Sequence, residues 1–229
     1  MTNLANPADQ LTDVRDMVVV HKAFRREFSL LPQLIRAVAA GDVRRARRVA
    51  EHARLVLQGL QLHHTGEDEL LWPLLLERAA PSTQLVHRME EQHHRVERCL
   101  EAIPALVDRW AQEPTKTAAD ELAGTIEELR VALVEHLDDE EVHILPVAAR
   151  HVSPAEWAAL GEHGVARMSP RQLPIFFGMI LEDATDEEQA MMLASVPGPV
   201  RLFTRTAGAM IYRRYVASVR AVSPAGPAR

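Results

Sequence analysis

A chain of 229 residues, 47% hydrophobic and 25% charged, is long enough for one sizeable domain or two small ones. Its formal charge of −6 leaves no basic footprint of the kind nucleic-acid binders carry. The single cysteine, Cys99, excludes an intrachain disulfide and a thiolate metal cluster. The polar first ten residues and the lack of any membrane-length apolar run complete the expectation of a cytoplasmic protein without a membrane partner.

Residues 1–10 read as a frayed tail. From Leu11 to about Ala39, Val14, Met17, His21, Phe24, Phe28, Leu31 and Ile35 recur at spacings of three and four, which predicts a helix ended by Gly41-Asp42. A second helix is predicted over 43–79 with Val49, Val56, Leu60, His63, Glu67, Leu70 and Leu74 on one stripe, and Pro73 is expected to kink its last turn. A third runs from Thr83 to Trp110 on Val86, Met89, His93, Val96, Leu100, Ile103 and Val107. A fourth spans 117–150, with Ile126, Leu129, Leu133, His136, Glu140, His143 and Val147 in phase. Strand signals are absent. The fold class is therefore all-α: an antiparallel four-helix bundle over residues 11–151.

The second pair of helices repeats the first. A shift of 73 lays His63 on His136, Glu67 on Glu140 and Pro73 on Pro146, and a shift of 72 lays His21 on His93. The bundle thus has an approximate internal two-fold axis. Residues 152–222 read as a smaller helical extension packed on the bundle. Ser153-Pro-Ala-Glu156, Ser169-Pro-Arg-Gln172 and Thr185-Asp-Glu-Glu188 start helices at 154–162, 170–182 and 186–195. A last helix runs from Pro197-Gly-Pro199 to about Val222, and residues 223–229 are expected to be disordered.

The chemistry lies in the repeat. In His63-x3-Glu67 and His136-x3-Glu140, residues i and i+4 share a helix face, so imidazole and carboxylate converge on one point. A single such pair is usually a surface ion pair worth a few tenths of a kcal/mol. The same triplet in both halves, with His21 and His93 inside apolar stripes, is not what incidental histidines predict. Unpartnered carboxylates in that interior would cost several kcal/mol each, and divalent cations would remove the penalty. The expected metal ligands are His21, His63, Glu67, His93, His136 and Glu140. Their nitrogen and oxygen donors favour iron or manganese over a structural zinc.

Neighbouring histidines compete for these places. His64 pairs with Asp68, but the second half has Leu137 at the corresponding position, which favours His63. His94 shares its face with Glu90, Glu97 and Glu101, which favours His93. His143 fits an extra ligand, a group behind the ligands or a core-edge residue. His52, His87, His151 and His163 are read as ordinary structural histidines.

This pattern of one His, His-x3-Glu, one His and His-x3-Glu over residues 11–151 resembles the hemerythrin-like, HHE cation-binding family, in its bacterial single-chain form with a C-terminal helical extension. The resemblance implies a non-haem di-iron centre, two iron ions held by bridging glutamates and terminal histidines. It also implies a small ligand: dioxygen, peroxide or nitric oxide. Respiratory hemerythrins use five histidines and two carboxylates, with an extra His on the third helix one turn from the first. Here Glu97 and Met89 flank His93 at one turn, so four imidazoles are expected. A thinner shell argues against simple oxygen carriage and for oxidant handling, a catalase- or peroxidase-like activity; the alternative is an oxygen, nitric oxide or iron sensor or store without turnover. Ferritin-like bundles fit less well, because their Glu-x-x-His has the opposite order and spacing. The arginines of the last helix (Arg201, Arg205, Arg213, Arg214, Arg220) are expected on a solvated face, or on a homodimer or partner contact.

Overall fold

A computed structural model describes residues 11–194 and 196–221. The expected tails at 1–10 and 223–229 lie outside these residues. Among the described residues every regular element is helical. Four rods form the bundle: α1 (Arg15–Arg36); α2 (Val43–Gly66) continued through a π-helical turn (Glu67–Leu71) into α3 (Trp72–Arg78); α4 (Thr83–Gln112); and α5 (Lys116–Asp139) continued through a second π turn (Glu140–Ile144) into α6 (Leu145–His151). α1 packs against α2 and α5, and α4 packs against the same two. The Asp42 side chain accepts the Arg45 N–H to start α2, and Thr115 accepts the Ala118 N–H to start α5. At that end the Gly41 N–H donates to the Pro114 carbonyl at 2.9 Å, tying the two loops together.

The two π turns fall at the same place in each half, which extends the internal repeat to the backbone. In each, the N–H of the sixth residue bonds back to the glutamate carbonyl: Trp72 to Glu67, and Leu145 to Glu140. Pro73 and Pro146 follow one residue later. Lacking an N–H and crowding the preceding turn, a proline favours such a widened ladder. The extra residue rotates the buried face by one position. The interior receives Leu71, Trp72 and Leu75 where the unbroken stripe predicts Leu70 and Leu74, and Ile144, Leu145 and Ala148 where it predicts His143 and Val147. His143 is exposed.

The apolar interior is divided in two. One cluster, with Phe28, Leu31, Ile35, Trp110 and Ile126, fills the end near the Gly41 loop. The other, with Met17, Trp72, Val86, Met89 and Trp157, fills the opposite end. A polar layer lies between them.

The extension packs on the bundle. α7 (Pro154–Ala166) starts with a complete Ser153/Glu156 capping box and lies on α2 and the first π turn. Its Trp157 indole donates to Asp16 at 2.9 Å. α8 (Leu173–Leu181) begins three residues later than expected, because residues 170–172 form a turn although Ser169 and Gln172 do bond. α9 (Asp186–Ala194) packs on α1. The expected last helix is α10 (Gly198–Phe203) and α11 (Ala209–Arg220), joined by a third π turn (Thr204–Gly208). Arg205, Arg213 and Arg214 face solvent as expected, but Arg220 turns inward to Glu27 and Glu182.

Two close approaches fix this docking. A Cβ on Gly59 would stand 2.4 Å from the Phe176 ring, and one on Gly178 would stand 2.2 Å from the Tyr212 ring and 2.5 Å from its Cβ. Tyr212 is buried and its hydroxyl donates to Glu182 at 2.7 Å, so it has little freedom to retreat. Gly178→Ala should therefore lower stability in urea unfolding by about 1–3 kcal/mol from overpacking, despite alanine's helix advantage of up to ~1 kcal/mol.

Candidate metal centre

The polar layer contains seven groups. His64, Glu67, His93 and His136 form one set whose ligand atoms lie within 4.8 Å of one another. His21, His63, Glu67 and Glu140 form a second set on the same criterion, with Glu67 common to both. All six residues expected from the sequence are thus brought together, and His93, not His94, is the one turned inward: His94 is exposed beside Glu97. Ring nitrogens meet in pairs, with Nε2 of His21 3.1 Å from Nε2 of His63 and Nε2 of His93 3.2 Å from Nε2 of His136.

The seventh group is His64, set aside above because the repeat gives Leu137 at its place. Its ring is stacked on His93, with centroids 4.2 Å apart. The signal for it was local. Ala53, Leu57, Leu60, Glu67 and Leu71 fall at helical spacing from His64 and are all buried. Symmetry between halves was the wrong arbiter, since the half with Leu137 has no such histidine. The expectation of a four-imidazole shell is corrected accordingly: five imidazoles and two carboxylates converge.

Each half holds a histidine of the other. His93 Nδ1 donates to Asp68 Oδ1 at 2.7 Å, and His21 Nδ1 donates to Glu141 Oε1 at 2.9 Å. Asp68 and Glu141 are themselves related by the shift of 73. His136 Nδ1 donates to the Gln92 amide oxygen at 3.4 Å. Asp68 is thus not the partner of His64 that its spacing suggests. His52 and His163, read as structural, are buried outside both sets; His87 and His151 are exposed.

The electrostatics are those of a site built around positive charge. Both oxygens of Glu67, both of Glu140 and both ring nitrogens of His64 are buried without a hydrogen-bond partner. Such atoms are costly unless something else satisfies them. Burial drives the Glu140 carboxyl well above the usual range, and the facing Glu67 adds to it. Burial acts the same way on Glu67, but His63 and His93 outweigh it and bring it to about 2. Burial lowers His63 to about 4 and holds His64 and His136 well below the usual histidine value, so these imidazoles are neutral and their nitrogens free to ligate. Burial opposes the charged form of His93 too, but Asp68 and Glu67 overcome it and raise it to about 9. The donor set fits two divalent cations: all nitrogen and oxygen, with a carboxylate able to reach both positions.

Residues 12–148 match the hemerythrin HHE cation binding domain. The chain belongs to this family. The match spans more than half of the chain and ends before α7, so the extension lies beyond the HHE domain. No curated protein and no solved structure matches the chain. Among the described residues no helix is long and apolar enough to cross a membrane. The HHE domain carries two buried His/Glu clusters, the arrangement of a bimetallic centre.

Cation uptake at neutral pH must displace the proton that His93 holds up to about 9, and the upward shift of Glu140 acts in the same sense. Binding should therefore release at least one proton per chain, read by calorimetry in buffers of different ionisation enthalpy. Because His93 is protonated below about 9, apparent affinity should rise with pH toward that value.

Proposed function

We propose that the seven groups hold a non-haem di-iron centre that handles a small oxidant, dioxygen or peroxide. The observation that carries this is the set of unpartnered oxygens and nitrogens of Glu67, Glu140 and His64, facing other imidazoles in a buried layer. Iron fits a shell of neutral imidazoles and carboxylates; zinc in structural sites usually takes thiolate, and Cys99 is in neither cluster. A bound iron pair supplies Lewis acidity and exchangeable electrons for oxygen chemistry. The protein's own part is positional. Asp68 and Glu141 fix two imidazole rings, the two apolar clusters keep bulk water from either side, and Glu67 spans the two positions. His63 is the most open of the seven, with 10% of its side chain exposed, and the other six are buried, so a small ligand would reach the centre beside His63.

A second reading, a sensor of oxygen or nitric oxide, is favoured by one contact. α7 rests on the π turn that begins at Glu67: the His163 ring lies over Gly66, and Arg167 reaches Glu69 at 3.5 Å. A change at Glu67 would reach the extension through this turn. Absorption spectra of the iron-loaded protein separate the readings. Rapid peroxide loss with oxygen evolution supports oxidant handling; a stable, reversible dioxygen or nitric oxide adduct without turnover supports the sensor. No charge-transfer band under any of these conditions contradicts both.

A further inference from the structure

The two carboxylates behind His93 and His21 occupy equivalent places in the repeat but have different partners. Asp68 receives His93 Nδ1–H at 2.7 Å, and its other donor is neutral, the Trp72 indole N–H at 2.8 Å. Glu141 receives His21 Nδ1–H at 2.9 Å, but its Oε1 also accepts from the Arg25 guanidinium at 2.6 Å. Arg25 is held in turn by Asp138 at 2.6 Å. A carboxylate hydrogen-bonded to a ligating imidazole orients the ring and makes its free nitrogen a stronger donor. A carboxylate that shares its charge with a guanidinium does so less.

We propose that Asp68 and Glu141 are positioning residues, and that Arg25 makes the pair unequal, so that cations fill the His64/His93/His136/Glu67 set before the His21/His63/Glu67/Glu140 set. This rests on the metal reading above and adds an order of loading to it. The difference comes from substitutions around the repeat: Trp72 stands where the second half has Leu145, and Arg25 reaches across to the second half's carboxylate alone.

The test is cobalt(II) titration of the metal-free full chain, followed by calorimetry and by the visible spectrum of the bound ion. Wild type should give two resolved steps. Asp68→Asn should weaken the tighter step on the order of 10- to 100-fold. Glu141→Gln should weaken only the looser step, and by less. Arg25→Met, which frees Glu141 from its counter-charge, should tighten the looser step. Trp72→Phe removes the indole donor and leaves the carboxylate, so it should keep the tighter step; thermal unfolding of each metal-free variant reports folding separately. An unchanged titration for Asp68→Asn, or a Trp72→Phe loss as large as that of Asp68→Asn, overturns the positioning role. Two equal steps in wild type overturn the order. Failure of wild type to take up cobalt at all overturns the metal reading itself, and this inference with it.

Discussion

Glu67→Ala should leave the protein unable to hold a pair of metal ions. Glu67 is the one group shared by both sets, so its loss strips a donor from each position at once. What remains is His64, His93 and His136 on one side and His21, His63 and Glu140 on the other, with nothing common to both. Affinity for the second ion should fall by more than about 100-fold, beyond the range for residues that only orient ligands. The metal-free protein should also lose stability, though for a different reason. With no cation present, His63 and His93 hold the Glu67 carboxylate at about 2, so its removal costs that pairing and should lower thermal stability. The stabilisation that metal gives wild type, which follows from binding the folded state alone, should disappear. Metal content and melting temperature with and without iron(II) check both halves of this expectation.

Glu27→Ala should leave metal content intact and cost stability alone. Glu27 is buried, yet it is fully partnered. His52 Nε2 meets it at 3.0 Å, Arg26 at 2.9 Å and Arg220 of α11 at 3.1 Å, while His52 Nδ1 lies 3.1 Å from the Tyr215 hydroxyl. Burial alone would raise its pKa, but His52 and Arg26 outweigh burial and hold it at about 2. Against the usual glutamate value of 4.5, that depression corresponds to about 3 kcal/mol of stability. The contribution is fully present above pH 4.5 and is lost as pH falls toward 2. Removing the side chain leaves His52 Nε2 without its acceptor and takes one of the carboxylates from Arg26 and Arg220, which keep Glu182 and Asp183, so about 3 kcal/mol should go with it. Urea unfolding at pH 7 should show this loss, and the gap between wild type and variant should narrow toward pH 2. Because Arg220 and Tyr215 belong to α11, the extension should loosen before the bundle does.

These two buried glutamates show what sequence could and could not reveal. The bundle was legible because apolar spacing survives along four long rods, and six of the clustered residues were legible because the motif occurs twice. His64 was not, since the repeat itself argued against it. The face beyond Glu67 and Glu140 was misassigned by one residue, because a π turn inserts a residue without changing composition; the prolines at 73 and 146 announce a disturbance but not its register. The Glu27–His52 pair was invisible for a different reason. Its partners Arg220 and Tyr215 lie more than 160 residues away, and no local spacing links them.

The decisive measurement is metal analysis combined with X-ray absorption on protein loaded anaerobically with iron(II). Two bound ions per chain are expected, coordinated only by nitrogen and oxygen, with a metal–metal vector of about 3.5–4 Å as in other paired-metal sites. A single isolated ion, or a protein that takes up none while folded, would contradict the reading of these seven residues as one centre.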